Sequence, residues 1–203
     1  MNKTVVITGG EGDIALAIKD LLVKDYNVLT PSKRELDVSD VKQVNQYFKE
    51  RNVDILINNA GYIKPNNINR NCFEEEIKTI NINLTGVFIC SGAVLNMNKN
   101  AIIINIGSSA GTKARGSWAS YCSSKSGVIM ATKCWYDEGV KTICISPGRT
   151  KTKMREMLFP NENQDELLSV KDFALVVLRA IKGDFEWGIN LDVNINNVDN
   201  YKI

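Results

Sequence analysis

The sequence predicts an α/β fold in which helices cover both faces of one parallel sheet, a doubly wound arrangement. Three observations point there. Short Val- and Ile-rich runs alternate along the chain with stretches of helical periodicity. Four of those runs show little apolar/polar alternation, as strands buried on both faces do. The first run passes through a glycine-rich loop straight into an amphipathic helix, the context in which a phosphate-binding loop works.

Taken in order, strands are predicted over residues 3–8, 27–30, 54–58, 101–106, 141–145 and 189–193. A helix over 14–24 places Ile14, Ile18, Leu21 and Leu22 on one face. Asp40 caps a helix over 41–51. Phe73, Ile77, Ile80, Leu84, Val87 and Phe88 recur at helical spacing, in one long helix running to about residue 95. Further helices are predicted over 119–135 and 170–182. One connection is unusual. Only Pro31-Ser32-Lys33-Arg34-Glu35 separates the second strand from Leu36-Asp37-Val38, too little for a helical crossover. Either a short connection replaces a helix, or the second strand lies elsewhere. With no internal repeat and no domain-sized linker, residues 1–203 are expected to form a single domain.

Composition bounds the function. The hydrophobic share is 44%, the charged share 24% and the net charge +2, ordinary for a soluble globular protein. No basic block argues for nucleic acid or a membrane surface. No apolar run reads as membrane-spanning, and Met1-Asn2-Lys3 leads directly into a strand, so no signal peptide and a cytoplasmic location are expected. Cys72, Cys90, Cys122, Cys134 and Cys144 include no CxxC pair and read as reduced, mostly buried thiols rather than a disulfide frame or zinc site. The chain has no histidine. That excludes Ser-His-Asp and Cys-His catalysis within it and weakens any catalytic-zinc reading, so no metal is expected.

The stretch TGGEGDIA, residues 8–15, fits a GxxGxxA pattern. Gly9 would allow the tight turn, Gly12 a close backbone approach to a pyrophosphate, and Ala15 helix packing against the sheet. Asp13 falls in the first helical turn, where the helix dipole tolerates a carboxylate. It would repel a phosphate if it faced one, so it is expected to turn away. A glycine-rich turn that binds nothing fits this stretch equally well.

The rest of the chain breaks the tie. Tyr121-Cys122-Ser123-Ser124-Lys125 is a YxxxK on a predicted helix, which sets phenol and ammonium on one face a turn apart. Ser108 precedes Tyr121 by thirteen residues and ends an Ile-rich strand. Asn58-Asn59-Ala60-Gly61 ends another strand, Asn83 opens Asn83-Leu84-Thr85-Gly86, and Pro147-Gly148 ends a third strand before Thr152. These strand ends fall on the carboxyl edge of the sheet, where open parallel sheets bind ligands.

This set, from Thr4 to Thr152, resembles the short-chain dehydrogenase/reductase family, with TGxxGxxA, NNAG, the Ser108–Tyr121–Lys125 spacing and PGxxxT in the family's order. The resemblance implies a Rossmann-like fold and an NAD(P)-linked carbonyl reductase or alcohol dehydrogenase. Tyr121 would then be the acid/base. Its ordinary pKa near 10 would be lowered by the Lys125 cation. Ser108, rather than the adjacent Ser109, would polarise the substrate oxygen. Asn83 would help hold a water linking Lys125 to solvent. The cofactor would lie against Gly9, Glu11, Gly12, Asp13 and Ile14 of the loop and against Asn59, Ala60 and Gly61. It would also meet Tyr121 and Lys125, and then Pro147, Gly148, Thr150 and Thr152 at the nicotinamide end. Asp37 and Val38 resemble the family's adenine contact.

After the second strand come Ser32, Lys33 and Arg34, with no carboxylate before Glu35, which suits the 2′-phosphate of NADP(H) better than the ribose diol of NAD(H). A solvated basic turn is the alternative, and Glu35 could rotate inward. Lys113, Arg115, Arg149, Lys151, Lys153 and Arg155 sit on loops expected near the active-site mouth, where they would draw in an anionic carbonyl or alcohol substrate or form only a solvated rim. Met154, Met157, Leu158 and Phe159 are candidates for an apolar lid. The polar end after Val193 and the short 125–147 segment depart from the family and put a tetramer in doubt. A homodimer through the 73–95 and 119–135 helices remains open. So do a non-catalytic nucleotide-binding sensor or scaffold and a sugar-nucleotide modifying enzyme.

Overall fold

The computed structural model describes residues 2–70 and 73–202. Among them the strands β1 (Thr4–Ile7), β2 (Asn27–Leu29), β3 (Ile55–Asn58), β4 (Ile102–Ile106), β5 (Thr142–Pro147) and β6 (Asn190–Val193) form one parallel sheet, in the order β2-β1-β3-β4-β5-β6. The helices that cover it are α1 (Asp13–Leu22), α2 (Val41–Phe48), α3 (Phe73–Ile80), α4 (Gly86–Met97), α5 (Ala119–Asp137), α6 (Lys153–Leu158) and α7 (Val170–Lys182).

The register aligns Val5 with Ile55, Ile57 with Ile104 and Asn105 with Cys144. Successive residues of each strand then go to opposite faces. On one face Val5, Ile7, Ile55, Ile57, Ile104 and Ile106 meet Ile18 and Leu22 of α1 and Phe173 and Val177 of α7. On the other, Val6, Leu56 and Ile103 meet Val44 and Phe48 of α2 and Cys90 and Val94 of α4. Both sets are apolar because both faces are covered, which is why the strands read as uninterrupted Val/Ile runs. Each such side chain contributes about 1.5–3 kcal/mol through burial.

The chain leaves β1 for β2 on one side and returns to β3 on the other. The topological switch therefore falls between the carboxyl ends of β1 and β3, where sheets of this kind form a crevice.

Several elements differ from the sequence expectation. α1 begins at Asp13 because Gly12 is its extended N-cap (φ −76°, ψ 150°). α2 is capped by Asp40, which accepts from the Lys42 and Gln43 amides, and it ends at Phe48 rather than 51. The helix expected over 73–95 contains a π turn, Asn81–Thr85, between α3 and α4, and the surplus residue of the wider turn leaves Asn83 buried. β5 runs on to Pro147, and α6 forms where only a loop was expected. Residues 73–97 make one helix long and apolar enough to cross a membrane by length and composition, contrary to the expectation that no run reaches that measure. Its inner face packs on the sheet and α5, as a core helix does.

Neither alternative posed for the second strand holds, since β2 lies where expected and the crossover to β3 is the helix α2, which follows Leu36–Val38. β2 is the edge of the sheet, and Leu36–Val38 forms no further strand beyond it. Leu36 and Val38 are nevertheless buried against α2 and α4. Gly86 permits the close approach, since a Cβ there would stand 2.8 Å from the Val38 Cγ2. Of the cysteines, Cys90 and Cys144 are buried, Cys122 is half-buried and Cys134 exposed. Burial thus describes two of these four, and Cys72 lies outside the described residues.

Candidate active site

The glycine loop joins the carboxyl end of β1 to the start of α1 and touches the loop after β3. Gly9 adopts φ +65°, a conformation that favours glycine, and a Cβ there would lie 2.9 Å from the Ala60 Cα. Gly10, which no pattern singled out, is tighter still, because a Cβ would come within 2.3 Å of the Thr30 carbonyl oxygen. The Thr8 hydroxyl accepts from the Asn59 and Ala60 amides at 3.0 Å, and the Asn59 side chain donates to the Thr8 carbonyl at 2.9 Å. These bonds stitch the two loops together across the switch point. Deeper, Asn58 donates to Asn105 and Ser91, and Asn105 to Thr132, a buried polar chain tying β3 and β4 to α4 and α5.

A cavity of about 540 Å³ opens at this crevice, within the size range of cofactor clefts. Gly9, Glu11, Gly12, Asp13 and Ile14 form one wall, and Asn59, Ala60 and Gly61 another. Lys33, Asp37 and Val38 lie toward one end, and Tyr121, Lys125, Pro147 and Thr152 toward the other. Tyr62, Lys78 and Gly107 also line it, although nothing in the sequence patterns pointed to them. A smaller cavity of about 110 Å³ adjoins it through Tyr121 and Pro147, and Ser108, Ser109, Gly148 and Thr150 line that one.

Ser108 lies two residues past the end of β4 and Tyr121 stands in the first turn of α5, with Lys125 one turn on. The Ser108 hydroxyl accepts from the Ala110 amide at 3.1 Å. Burial pushes the Tyr121 phenol above its ordinary value, and the neighbouring Ser108 hydroxyl works against that push. Lys125 is buried. Its Nζ donates to the Ile106 carbonyl at 2.8 Å and stands 5.9 Å from the Tyr121 ring centre. Burial lowers its own pKa to about 8. This arrangement departs from the expectation that Lys125 depresses the phenol. Here the ammonium bonds a main-chain carbonyl, and desolvation governs both groups.

Asn83 does not line either cavity. Its side chain accepts from the Tyr62 amide at 2.7 Å, donates to the Tyr62 carbonyl at 2.8 Å, and donates to the Ser124 hydroxyl at 3.3 Å. It pins the segment after β3 to α5, beside Lys125.

At the β2 end, Ser32, Lys33 and Arg34 line a shallow depression with Glu11 and Asp37. The Ser32 amide and hydroxyl both donate to one Glu35 carboxylate oxygen at 2.8 Å, which holds that carboxyl below its ordinary pKa. Glu35 is thus tied to Ser32 in an exposed local turn and lines neither this depression nor the cavity. Lys33 pairs with Asp37 at 3.5 Å. Burial alone would raise the Asp37 pKa, but Ser39 hydrogen bonds and Lys33 outweigh it and keep the carboxyl ionised. Arg34 has no carboxylate partner among the described residues.

Asp13 lines the large cavity, and its Oδ2 accepts the Lys153 amide at 2.7 Å, at the start of α6. Thr152 caps α6 by accepting from the Arg155 amide, and Thr150 donates to the Gly148 carbonyl. Of the expected lid residues, Met154 and Leu158 line the small cavity and Phe159 packs on Trp118, whereas Met157 is 78% exposed and turned to solvent.

Comparison with known proteins identifies the class. The model of the family described as short chain dehydrogenase matches residues 32–163. The 3-oxoacyl-[acyl-carrier-protein] reductase FabG of Vibrio harveyi is 32% identical over 199 residues, covering 83% of this chain and 82% of that protein. The chain belongs to the short-chain dehydrogenase/reductase family, a family of oxidoreductases. The bifunctional ribulose 5-phosphate reductase/CDP-ribitol pyrophosphorylase Bcs1 of Haemophilus influenzae is 28% identical over 206 residues, which is 95% of this chain but 43% of that protein. The chain thus spans less than half the length of that relative. The solved structure of ElxO with NADP bound matches with a TM-score of 0.80 at 24% identity, covering 95% of this chain and 97% of that one, a likeness that speaks to the fold.

Proposed function

We propose that the protein is a NAD(P)(H)-dependent oxidoreductase that interconverts a carbonyl compound and its alcohol at Ser108, Tyr121 and Lys125. The observation that carries this reading is the meeting of Ser108 and Tyr121, which line one small cavity together, and a buried Lys125 with a cavity framed by the glycine loop and residues 59–61. A dinucleotide suits these walls. The α1 N-terminus, where Gly9 and Gly12 carry no side chain, would receive the pyrophosphate. Asn59, Ala60 and Gly61 would line the ribose side, and Pro147, Gly148, Thr150 and Thr152 the nicotinamide end. When bound, the nicotinamide supplies or accepts the hydride at the carbonyl carbon.

The chain's own residues handle the proton. In reduction, Tyr121 gives its phenolic proton to the carbonyl oxygen, to which Ser108 donates a hydrogen bond, and the carbonyl becomes a hydroxyl. A phenol held above its ordinary pKa is protonated at neutral pH, the form reduction requires. Lys125, held on the Ile106 carbonyl with its ammonium 5.9 Å from the ring centre, would offer a positive charge to the phenolate left behind, although burial outweighs it in setting the phenol's own pKa. Asn83 acts as a positioning residue, because its contacts fix α5 next to Lys125.

NADP(H) is the favoured cofactor. Arg34, open among the described residues and adjacent to Ser32 and Lys33, suits a 2′-phosphate, and ElxO binds NADP. Glu35 accepts the Ser32 hydroxyl, which engages one of these donors and moderates the preference. The assembly that fits is a homodimer through α3, α4 and α5, where Ile77, Phe88 and Met130 expose 57%, 47% and 58% of their surface. Substrate candidates include phosphorylated ketoses, as for Bcs1, and 3-oxoacyl compounds, as for FabG.

A carbonyl panel followed by oxidation of NADPH tests the reading. Tyr121→Phe is expected to lower turnover by about 10²–10⁴ while NADPH affinity stays within about threefold. Undiminished turnover in that variant would place the chemistry elsewhere.

A further inference from the structure

We infer that Arg115 selects the substrate by binding the anionic end, a phosphate or a carboxylate, of a small carbonyl compound whose oxygen rests at Ser108 and Tyr121. The inference rests on the oxidoreductase reading above and names its substrate class.

The small cavity beside the proposed catalytic pair carries three guanidinium groups, those of Arg115, Arg149 and Arg155. Two of them are already matched by carboxylates. Arg155 holds Glu162 with two bonds of 2.6 and 2.5 Å, and both side chains of that pair are 13% exposed. Arg149 reaches Glu162 at 3.3 Å and Glu166 at 3.5 Å. Those two arginines tie the segment after β5 together, and the same bonds hold the Glu162 carboxyl ionised. The expectation of a rim of six free cations therefore narrows sharply.

Arg115 differs. Among the described residues it has no carboxylate partner, and its guanidinium lies over the Trp118 ring, 5.4 Å from the ring centre. Trp118 in turn meets Tyr121 edge-on, with ring centres 5.7 Å apart and planes at 88°. The stacked arginine keeps its fork of N–H donors free, the arrangement that receives a phosphate or carboxylate best.

The turn that carries Arg115 is built rather than loose. The Trp118 amide bonds the Arg115 carbonyl at 3.2 Å, the Ser117 carbonyl accepts from Asn66 at 2.8 Å, and the Ser117 hydroxyl donates to Asn67 at 2.5 Å. Ser117 itself sits at φ +65°, unusual for a residue with a side chain, and such strain gathers where ligands are clamped. A cavity of about 110 Å³ is lined by Ser108 and Tyr121 and by Arg115 alike, so one small molecule in it can meet both the hydroxyl pair and this cation.

The test compares matched pairs with saturating NADPH: ribulose 5-phosphate against ribulose, and acetoacetate against its methyl ester. The wild-type protein is expected to prefer the charged member of at least one pair. Arg115→Ala should then raise KM for that member by about 10- to 100-fold, with kcat within about threefold and the neutral member unchanged. Arg115→Lys should recover part of the loss. The pair that responds identifies phosphate or carboxylate. Equal effects of Arg115→Ala on charged and neutral members, or no wild-type preference in either pair, would overturn the inference. Failure of the underlying reading looks different, since NADPH would not bind or no carbonyl would turn over. If NADP⁺ binds but turnover is absent, calorimetry of the NADP⁺-loaded wild type and Arg115→Ala with ribulose 5-phosphate and with acetoacetate still decides the matter. Binding of one or the other lost on substitution upholds Arg115, and binding of neither, or binding unaffected, overturns it.

Discussion

Lys125 is held in a state that a buried ammonium does not favour. Its folded pKa of about 8 lies below the ordinary 10.5. Below pH 8 both folded and unfolded chains carry the proton, and the burial penalty on the charged group is present in full. Between pH 8 and 10.5 the folded chain releases the proton first, so this group's penalty fades and its contribution to stability rises with pH across that window. Lys125→Met removes the penalty and leaves the Ile106 carbonyl without its partner, for a net stabilisation of about 1–2 kcal/mol at pH 7. Thermal denaturation of the variant should show a higher Tm together with lost turnover, and a lower Tm would contradict this account of the lysine. In the proposed chemistry the same ionisation would govern activity. For reduction, kcat/KM should be level below pH 8 and fall as pH rises through about 8, where the ammonium is lost while the phenol remains protonated. A profile with no limb in that region would remove Lys125 from the chemistry. At this scale the residue types and spacings of Ser108, Tyr121 and Lys125 were legible in the sequence. The direction of the Lys125 ammonium was not, because the Ile106 carbonyl that receives it is set by strand–helix packing.

At the scale of elements, the glycine loop and α6 are one device, because Asp13 joins them through the Lys153 amide. Asp13→Asn keeps an acceptor for that amide and removes a negative charge from the cavity wall. NADPH should then bind about two- to fivefold more tightly, the effect of one partly screened like charge. Asp13→Ala should instead free α6, with faster proteolytic cutting within 149–163, and unchanged cutting would show that the bond does not hold the helix. Gly10 supports the loop from the other side. Gly10→Ala should destabilise the fold by about 3 kcal/mol or more in urea unfolding, because its Cβ would stand 2.3 Å from a main-chain oxygen of Thr30. The sequence showed the strand–loop–helix order but not these contacts. Gly10 fell outside the GxxGxxA positions, and the glycine is required by a neighbouring strand end rather than by the loop. The six-residue α6 was too short to register a periodicity. The π turn was invisible because the apolar spacing continues through it on both sides.

For the molecule as a whole, the parallel sheet was legible because burial on both faces leaves the Val/Ile runs unalternated. That the five residues between Thr30 and Leu36 hold no helix was legible too, but the crossover to β3 runs through α2, and only packing shows that Leu36 and Val38 join the core without forming a strand. The place where function gathers follows from topology, since the switch between β1 and β3 brings the glycine loop, residues 59–61 and the end of β4 to one crevice. Calorimetric titration of the wild-type protein with NADPH and NADH at matched salt tests the central claim most directly. The account predicts micromolar binding of NADPH, weaker binding of NADH, and a smaller gap between them in Arg34→Ala. Binding of neither would contradict it, because a crevice with this loop and this Ser108–Tyr121–Lys125 grouping would then lack the ligand on which the proposed chemistry depends.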